Sequence, residues 1–277
     1  MTTMASTTRP PISPPSLLRA SATVVWRNLI HIKRMPEMLM DVTVQSIMFV
    51  LLFAYVFGGS IDPPGDIPYK EFLLPGIMAQ TMIFSSAVVA MGLTNDLQKG
   101  IVDRLKSLPI SRSSVLVGRS ISSLIHSSIG IAVMGVTGLL IGWRIREGVV
   151  NGILAFVLLL LFGFAMIWLG IWVGSIMRTV EAVQGFMFTV MFPLTFVANT
   201  FAPTATMPTW LRLLAEWNPV SALTQSLREL WGNAPQAPSS AAWPLQHAEI
   251  TTIVWSILIT AVFAPLAVAA FRRRSRD

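Results

Sequence analysis

Six apolar stretches divide the chain, and each is long enough to cross a bilayer as an α-helix. A span needs about 20 residues, because each helical residue rises 1.5 Å and the hydrocarbon core is about 30 Å thick. Pro193 interrupts the fifth stretch and is expected to kink it. The pattern predicts an all-α polytopic membrane protein with six transmembrane helices, at approximately residues 41–58, 72–95, 119–142, 150–176, 181–202 and 250–271.

The segment between the second and third predicted spans has a helical pattern of its own. Ile101, Val102 and Leu105 share one face, while charged side chains surround the other. Pro109 ends the pattern. We expect a short amphipathic helix over residues 98–107, shaped to contact a soluble partner. The alternative is a solvated amphipathic turn that only connects two spans.

The N-terminal region has two parts. Residues 1–15 are rich in Thr, Ser and Pro, which predicts a flexible cytoplasmic tail. Residues 16–35 carry cations and apolar side chains on different helical faces, which predicts a helix in the inner membrane interface. A cytoplasmic extension of the first span is the alternative, and Pro36 argues against it by breaking the helix before the bilayer.

Residues 204–248 separate the last two predicted spans and have the signals of a helical hairpin. Asn218 can cap a helix whose first residue is Pro219, and Pro208 opens another helix just upstream. Trp side chains favour the membrane–water interface. We therefore expect the hairpin to dip into the outer leaflet through its four tryptophans, Trp210, Trp217, Trp231 and Trp243.

The distribution of Lys and Arg fixes the predicted orientation. If the six spans are correct, fifteen of these cations lie on the side of the two termini and five on the other. Cytoplasmic loops of membrane proteins carry the excess of positive charge. Both termini are therefore predicted to lie in the cytoplasm, and the hairpin outside.

Composition agrees with a membrane protein and excludes several other classes. Hydrophobic residues make up 53% of the 277 and charged residues 12%, against about 25% charged in soluble domains. The net charge of +7 comes from cations spread over several loops, so no nucleic-acid-binding patch is predicted. The chain has no cysteine, which excludes disulfides and thiolate metal sites.

The sequence carries no motif for nucleotide or metal chemistry. It lacks a G-x-x-x-x-G-K-[ST] loop and an H-E-x-x-H motif, and its three histidines fall in different layers of the predicted topology. The predicted spans have no Asp or Glu at mid-depth, which argues against an ion-coupled carrier. A helix broken at Pro193, near Asn199, leaves that class open.

Two motifs resemble those of a known family. Residues 99–112 read K-G-I-V-D-R-L-K-S-L-P-I-S-R and continue through V-L-V-G-R at 115–119; residues 218–221 read N-P-V-S. They resemble the signatures of the type-2 ABC exporter permeases, and in particular of the daunorubicin-resistance branch, whose members export drugs or lipids. Many family members carry Glu immediately before the K/R-G pair, where this chain has Gln98.

The resemblance implies a transport function shared between several chains. Residues 16–277 would form the type-2 ABC transmembrane domain, and two permeases, identical or paralogous, would assemble with two copies of a separate ATPase subunit. This chain would bind no cofactor and would not be an enzyme alone, because ATP and Mg would bind to the ATPase. The expected location is the bacterial inner membrane, among lipids that would be further partners.

The expected cargo is an amphipathic drug-like or lipid compound moved out of the cell. A permease of the same family for lipid-linked glycan is the first alternative, and aromatic rings at the mouth of the path would favour it, whereas a closed apolar vestibule would favour drugs or lipids. An ion-coupled secondary transporter is a second alternative, and a membrane scaffold or sensor a third.

The resemblance also assigns candidate site residues. Segment 98–107 would be the coupling helix seated on the ATPase, through Gln98, Lys99, Gly100, Ile101, Val102, Asp103, Arg104 and Leu105. The substrate path would run between the two permease copies, along spans two and five. Residues that share a helical face there are Met78, Met82, Ser85 and Val89 on span two and Gln184, Phe188, Met191 and Thr195 on span five. The alternative is that these eight residues face lipid or the second permease.

Overall fold

The computed structural model describes residues 36–56, 67–100, 112–204, 207–234 and 236–274, and within them the chain is helical with no β-strand. The predicted tail, the interfacial helix at 16–35 and residues 101–107 of the predicted coupling helix lie outside these ranges. In the part of the chain described, the helices are α1 (Pro36–Val56), α2 (Tyr69–Gln98), α3 (Arg112–Ile141), α4 (Gly148–Ile176), α5 (Val180–Phe196), α6 (Thr209–Glu216), α7 (Pro219–Trp231), α8 (Trp243–Gln246) and α9 (Ala248–Arg274).

Four of the helices are long and apolar enough to cross a membrane. They are α2, α4, α9 and the Val115–Ile141 part of α3, and they coincide with the second, fourth, sixth and third predicted spans. The first and fifth predicted spans correspond to shorter apolar helical segments, Thr43–Val56 and Val180–Phe196. The all-α prediction is confirmed for the described ranges, while the six-span topology stays a prediction.

The fifth predicted span ends earlier than the sequence indicated. The prediction reached residue 202, but α5 ends at Phe196, and residues 197–203 form turns and bends. Pro193 lies in the last turn of the helix, where its missing N–H already removes one helical hydrogen bond. The apolar composition of residues 197–202 was therefore misread as a continuation of the helix.

Helix α4 lies at the centre of the bundle and contacts α2, α3, α7 and α9. Its approach to α2 is very close, because Gly170 and Gly174 present no side chain to that helix. A Cβ atom on Gly174 would lie 2.5 Å from the Ala90 carbonyl oxygen, which is too near for any side chain. On the side of α9, Ala267 and Phe271 share a buried cluster with residues of α4. Small residues thus allow two long helices to pack backbone to backbone.

The region between α5 and α9 is helical, as predicted. Asn218 caps α7 by accepting a hydrogen bond from the Val220 N–H at 2.8 Å, and Pro219 is its first residue. Pro208 directly precedes α6. Gly232 ends α7 with φ of +68°, a left-handed conformation that favours glycine. Each of these helix boundaries follows from a local signal in the sequence.

The tryptophans of this region do not share one environment. Trp210, Trp217 and Trp243 are more than half exposed, in agreement with an interfacial position. Trp231 is buried and packs edge-to-face on Trp143, with ring centroids 5.0 Å apart. Trp231 therefore packs inside the protein and closes α7 against the α3–α4 loop, while the position of the hairpin in the outer leaflet stays a prediction.

Candidate functional site

A row of phenylalanine rings runs along α5 and continues onto the neighbouring elements. Phe188, Phe192 and Phe196 follow one another at a spacing of four residues, which places them on one helical face. Their ring centroids are 5.7 and 5.0 Å apart, and the second pair is stacked. These distances are typical of favourable aromatic contacts. We call the three residues the phenylalanine row.

The row is exposed on the surface of the single chain. Phe188, Phe192 and Phe196 are 42%, 45% and 51% exposed. At the Phe188 end of the row, Phe84 of α2 packs on Phe188 and Phe192, with centroids 6.1 and 6.0 Å away. The row therefore bridges the two helices that the sequence analysis proposed for the substrate path.

The row is continued beyond Phe196 by rings from other elements. Phe196 contacts Phe201, at 5.3 Å between centroids, beyond the end of α5. Phe201 then stacks on Phe53 of α1, at 5.1 Å, and Phe53 contacts Phe49. Aromatic contacts thus connect the exposed face of α5 with α1.

The predicted path residues of α2 are mostly buried within the single chain. On α2, Met78, Met82 and Val89 are buried, and the Met82 side chain fills the space beside Gly163 of α4. Ser85 is half-buried and donates its hydroxyl hydrogen to the Met82 carbonyl oxygen at 2.7 Å. Within one chain, these positions contribute mainly to helix packing.

Of the four predicted path residues of α5, two are exposed and two are buried. Gln184 and Phe188 are exposed, whereas Met191 and Thr195 are buried. Of the eight residues, Phe188 belongs to the exposed phenylalanine row. Phe84, Phe192 and Phe196, which complete this group of rings, are not among the predicted path residues, although the four-residue spacing from Phe188 to Phe192 and Phe196 is visible in the sequence.

The start of the predicted coupling segment is attached to the bundle. Gln98 is the last residue of α2 rather than the first of a separate helix, and Lys99 and Gly100 form the turn that follows. Gly100 has φ of +66°, which a glycine adopts without strain. The Gln98 Nε2 atom donates a hydrogen bond to the Arg178 carbonyl oxygen at 3.0 Å. Residues Ile101, Val102, Asp103, Arg104 and Leu105 lie outside the described ranges.

The same end of the bundle is held by further polar contacts. The Thr94 hydroxyl of α2 donates to the Gly174 carbonyl oxygen of α4 at 3.0 Å. Arg274, at the end of α9, donates to the carbonyl oxygens of Ser175 and Met177. The ends of α2, α4 and α9 are therefore joined at the turn that leads into α5.

The opposite end of the bundle has a polar cluster that the sequence analysis did not identify. Arg146, in the α3–α4 loop, forms two hydrogen bonds with the carboxylate of Glu71 in the first turn of α2. Asn233 also donates to Glu71 at 3.4 Å, and it accepts from the Trp143 Nε1–H at 2.6 Å. The carboxylate of Glu71 raises the pKa of Arg146. The sequence signal for this polar cluster is the acidic Glu71, directly before the apolar run of α2.

A second missed residue is Arg228, which is 1% exposed within α7. Its guanidinium donates hydrogen bonds of 2.9 Å to the carbonyl oxygens of Phe72, Asn199 and Thr200, and it lies 3.5 Å from the centroid of the Phe72 ring. Burial lowers the pKa of Arg228 to about 9, so the side chain stays protonated at neutral pH. From the sequence, Arg228 is only one of the five cations predicted on the side opposite the termini.

The fold and these surfaces define a polytopic helical membrane protein. Among the described residues, no group of three or more His, Asp or Glu side chains could hold a metal ion. Residues 20–230 match the family model of the ABC-2 type transporter. Because this match covers most of the chain, the protein belongs to the ABC-2 type transporter family.

Individual relatives agree with this assignment. The chain is 28% identical to the "Daunorubicin resistance ABC transporter permease protein DrrB1" of Streptomyces coeruleorubidus, over 92% of this chain and 87% of that protein. It is 25% identical to the "Probable doxorubicin resistance ABC transporter permease protein DrrC" of Mycobacterium tuberculosis, over 73% and 70%. The resemblance to type-2 ABC permeases of the daunorubicin-resistance branch is thereby confirmed.

Proposed function

We propose that this protein is the membrane permease subunit of an ATP-driven exporter that moves an amphipathic drug-like or lipid compound out of the cell. The observation that carries the proposal is the exposed phenylalanine row on α5, in a chain of this family. Flat rings that are accessible on one face can contact apolar molecules of varied shape without requiring matched hydrogen bonds. The names of the relatives, which refer to daunorubicin and doxorubicin resistance, support the same class of cargo.

We place the row at the substrate path between two permease copies. One copy presents the row from one side only, and a second copy, identical or paralogous, would enclose it. Enclosure replaces lipid contacts of the rings with packing against the second copy, and association within a membrane depends on such van der Waals packing. Exposure of the rings in the single chain is therefore consistent with a partner surface at this position.

ATP hydrolysis belongs to a separate subunit in this proposal. Two copies of that ATPase, which bind ATP and Mg, would grip the segment 98–107 of each permease and drive the transport cycle. The hydrogen bond between Gln98 and the Arg178 carbonyl supports a mechanical connection, because it joins the start of this segment to the turn before α5. The permease alone would then hydrolyse no ATP.

Six spans with both termini in the cytoplasm of a bacterium complete the proposal, with α1 and α5 as the two short spans. Helix α6 supports a hairpin dipping into the outer leaflet. Its apolar Leu213 and Leu214 are exposed, whereas Arg212 turns away from them to pair with the buried Glu216 at 2.6 Å. An apolar outer face is typical of a helix that lies in the membrane interface.

The test starts with copurification of the tagged chain and identification of its companions by mass spectrometry. The recovered complex is placed in inside-out vesicles, and ATP-dependent accumulation of a fluorescent anthracycline is measured. We expect accumulation with ATP that is absent with a non-hydrolysable analogue and absent without the ATPase. Failure to recover an ATPase, or ATP turnover by the permease alone, would contradict the proposal.

Lipid-linked glycan is a second candidate cargo, because Phe196 and Phe201 form a ring pair at the outer end of the row. Sugar-binding sites combine rings with hydrogen-bonding groups, whereas the row itself consists of phenylalanines. The same vesicles distinguish the two cargoes if a labelled lipid-linked oligosaccharide competes with the anthracycline. An ion-coupled carrier would instead lose transport on addition of an ionophore, with ATP present.

A further inference from the structure

The chain leaves the α-helical conformation beyond Phe196 but remains buried there. Ala198, Asn199 and Thr200 are at most 3% exposed. A buried backbone that is not helical needs other partners for its N–H and C=O groups, and in a membrane each unsatisfied group costs several kcal/mol. The conformation of residues 197–203 therefore depends on the side chains that meet this backbone.

One face of α7 and its cap supplies these partners. The Asn218 Nδ2 atom donates to the Leu194 carbonyl oxygen at 2.7 Å, and the Ser221 hydroxyl oxygen accepts from the Asn199 N–H at 3.0 Å. Arg228 donates to the carbonyl oxygens of Asn199 and Thr200, each at 2.9 Å. Spacings of three and seven residues put the three side chains on the same side of α7.

Arg228 also connects this backbone to α2. Its Nε atom donates to the Phe72 carbonyl oxygen, and the guanidinium covers the Phe72 ring. Beside it, Gly76 of α2 approaches so closely that a Cβ atom there would lie 2.5 Å from the Thr200 carbonyl oxygen. Residues 197–203 are thus enclosed between α2 and α7. The guanidinium of Arg228, on α7, binds both α2 and this segment.

We propose that Arg228 is a positioning residue of the transport cycle, which holds residues 197–203 and with them the outer end of the phenylalanine row. The inference rests on the proposed export function. Phe196 ends α5, Phe201 lies within the break in the helix at residues 197–203, and their rings are in contact, so the path of the backbone between them sets where the row ends. Release of this backbone would displace the ring pair at the point where cargo leaves.

The geometry explains why arginine is needed at this position. A guanidinium has five N–H donors in a rigid plane and can serve three carbonyl oxygens while stacking on a ring. A lysine ammonium keeps the charge but is a point donor on a flexible stem. Arg228→Lys therefore removes the simultaneous contacts without leaving an apolar cavity or changing the net charge.

The first experiment compares two Arg-to-Lys changes in the complete complex with its ATPase. Arg212→Lys on α6 is the matched control, because an ammonium can still pair with Glu216. We expect Arg228→Lys to lower anthracycline export about tenfold, with ATP hydrolysis per complex kept, while Arg212→Lys retains both. Equal losses of export and hydrolysis, or wild-type export, would overturn the positioning role.

The second experiment uses the absence of cysteine from the sequence. Ala198→Cys reports on the buried break and Ala222→Cys on the buried interior of α7, and both are labelled from outside with a membrane-impermeant maleimide. Combined with Arg228→Lys, the first reporter should become several-fold more reactive, and the second should stay protected. Protection of both, or equal labelling of both through unfolding of the hairpin, would overturn the inference.

The two experiments separate this inference from the proposed function. If the wild-type complex does not export, the function is wrong, while the labelling of Ala198→Cys still tests whether Arg228 holds the break. If the wild-type complex exports and Arg228→Lys changes neither export nor labelling, the function stands and the inference fails.

Discussion

Arg146 binds Glu71 at two points: its Nε donates to Oε2 at 2.9 Å and its Nη2 to Oε1 at 2.6 Å. The Glu71 side chain is 4% exposed, whereas that of Arg146 is 57% exposed. The ion pair therefore fixes the α3–α4 loop to a buried carboxylate in the first turn of α2. Removing Arg146 alone should therefore lower the free energy of unfolding more than removing both partners, because the buried charge of Glu71 is then left without its main partner.

We expect Arg146→Gln to lower the free energy of unfolding by about 1–3 kcal/mol, which corresponds to a few degrees in the unfolding midpoint. The double variant Glu71→Gln with Arg146→Gln should recover part of this loss, since no buried charge remains. Thermal unfolding of the purified protein in detergent measures both. Arg144→Gln, which removes the same charge from the same loop, is the control. A wild-type midpoint for Arg146→Gln would contradict the argument.

The contact of Gln98 with the Arg178 carbonyl makes a prediction about coupling. A glutamate has the same shape but cannot donate a hydrogen bond to a carbonyl oxygen at neutral pH. We expect Gln98→Glu to reduce export per ATP hydrolysed about threefold, in line with the loss of one exposed hydrogen bond. Gln98→Lys keeps a donor and should retain more of the coupling. If the two variants export the same amount per ATP hydrolysed in the same vesicles, this hydrogen bond does not contribute to coupling.

Local signals in the sequence predicted part of the fold. The apolar runs located α2, α3, α4 and α9, because a span of this length needs few long-range contacts to be recognised. Asn218 followed by Pro219 predicted the start of α7, because the cap and the first turn that it stabilises are neighbours in the chain. These features depend on residues that are adjacent along the helix.

The sites depend on residues that are distant in the chain, and their pairing could not be predicted. The carbonyl of Phe72 is 156 residues away from Arg228, and Glu71 is 75 residues away from Arg146. On α5, the pattern predicted a shared helical face from Gln184 to Thr195, but it did not predict that Gln184 and Phe188 are exposed while Met191 and Thr195 are buried. Which face is exposed depends on how α5 packs on α2, and helical periodicity alone does not contain that information.

Glu229 of α7 predicts a dependence of stability on pH. Burial raises the pKa of its carboxyl, and hydrogen bonds from Gln225 and from the Ala237 N–H oppose this shift. Because the pKa of Glu229 is higher in the folded state than in the unfolded state, its protonated carboxyl contributes to stability below the unfolded pKa. This contribution is lost as the pH rises through the folded pKa. The wild-type protein should therefore lose stability from about pH 4 upwards because of this group.

Glu229→Gln should remove this loss, because the amide oxygen can accept the same hydrogen bonds without a charge. We expect its unfolding midpoint at pH 7.5 to exceed that of the wild type by about 1–3 °C, and the difference to vanish at pH 4. Melting curves across this pH range provide the measurement, with the exposed Glu147→Gln as the control. A midpoint difference that is independent of pH would show that the carboxyl does not titrate as argued.

Arg104 tests the predicted contact with the ATPase. It lies in segment 98–107, and the sequence pattern surrounds an apolar face with charges that can set the register of a partner. We expect Arg104→Glu to lower both the amount of copurified ATPase and the export rate about tenfold, through like-charge repulsion and loss of a pair. The permease itself should remain folded in the membrane, because no change is made within a span.

Arg273→Glu makes the same change in charge at an exposed position near the end of α9 and serves as the control. It should keep the ATPase bound. If Arg104→Glu assembles and exports like the wild type, segment 98–107 is not the coupling contact.

Phe192 lies at the centre of the phenylalanine row, in contact with Phe84, Phe188 and Phe196. Phe192→Ala removes one exposed ring and interrupts the row, so we expect anthracycline export to fall about tenfold, since a single aromatic anchor contributes 1 kcal/mol or more. Basal ATP hydrolysis should persist, because Phe192 lies about three turns beyond the start of α5, whereas Gln98 contacts the Arg178 carbonyl before that start.

Two matched variants decide whether this effect belongs to the row. Phe192→Trp keeps an aromatic face and should retain most of the export. Phe186→Ala removes a ring that is similarly exposed, at 39%, but lies six residues from Phe192 and about 120° around the axis of α5, on another face. Because both alanine variants lose comparable apolar area, a general effect on membrane insertion would affect them equally. An equal loss of export for Phe186→Ala and Phe192→Ala would therefore show that the rings contact lipid rather than cargo.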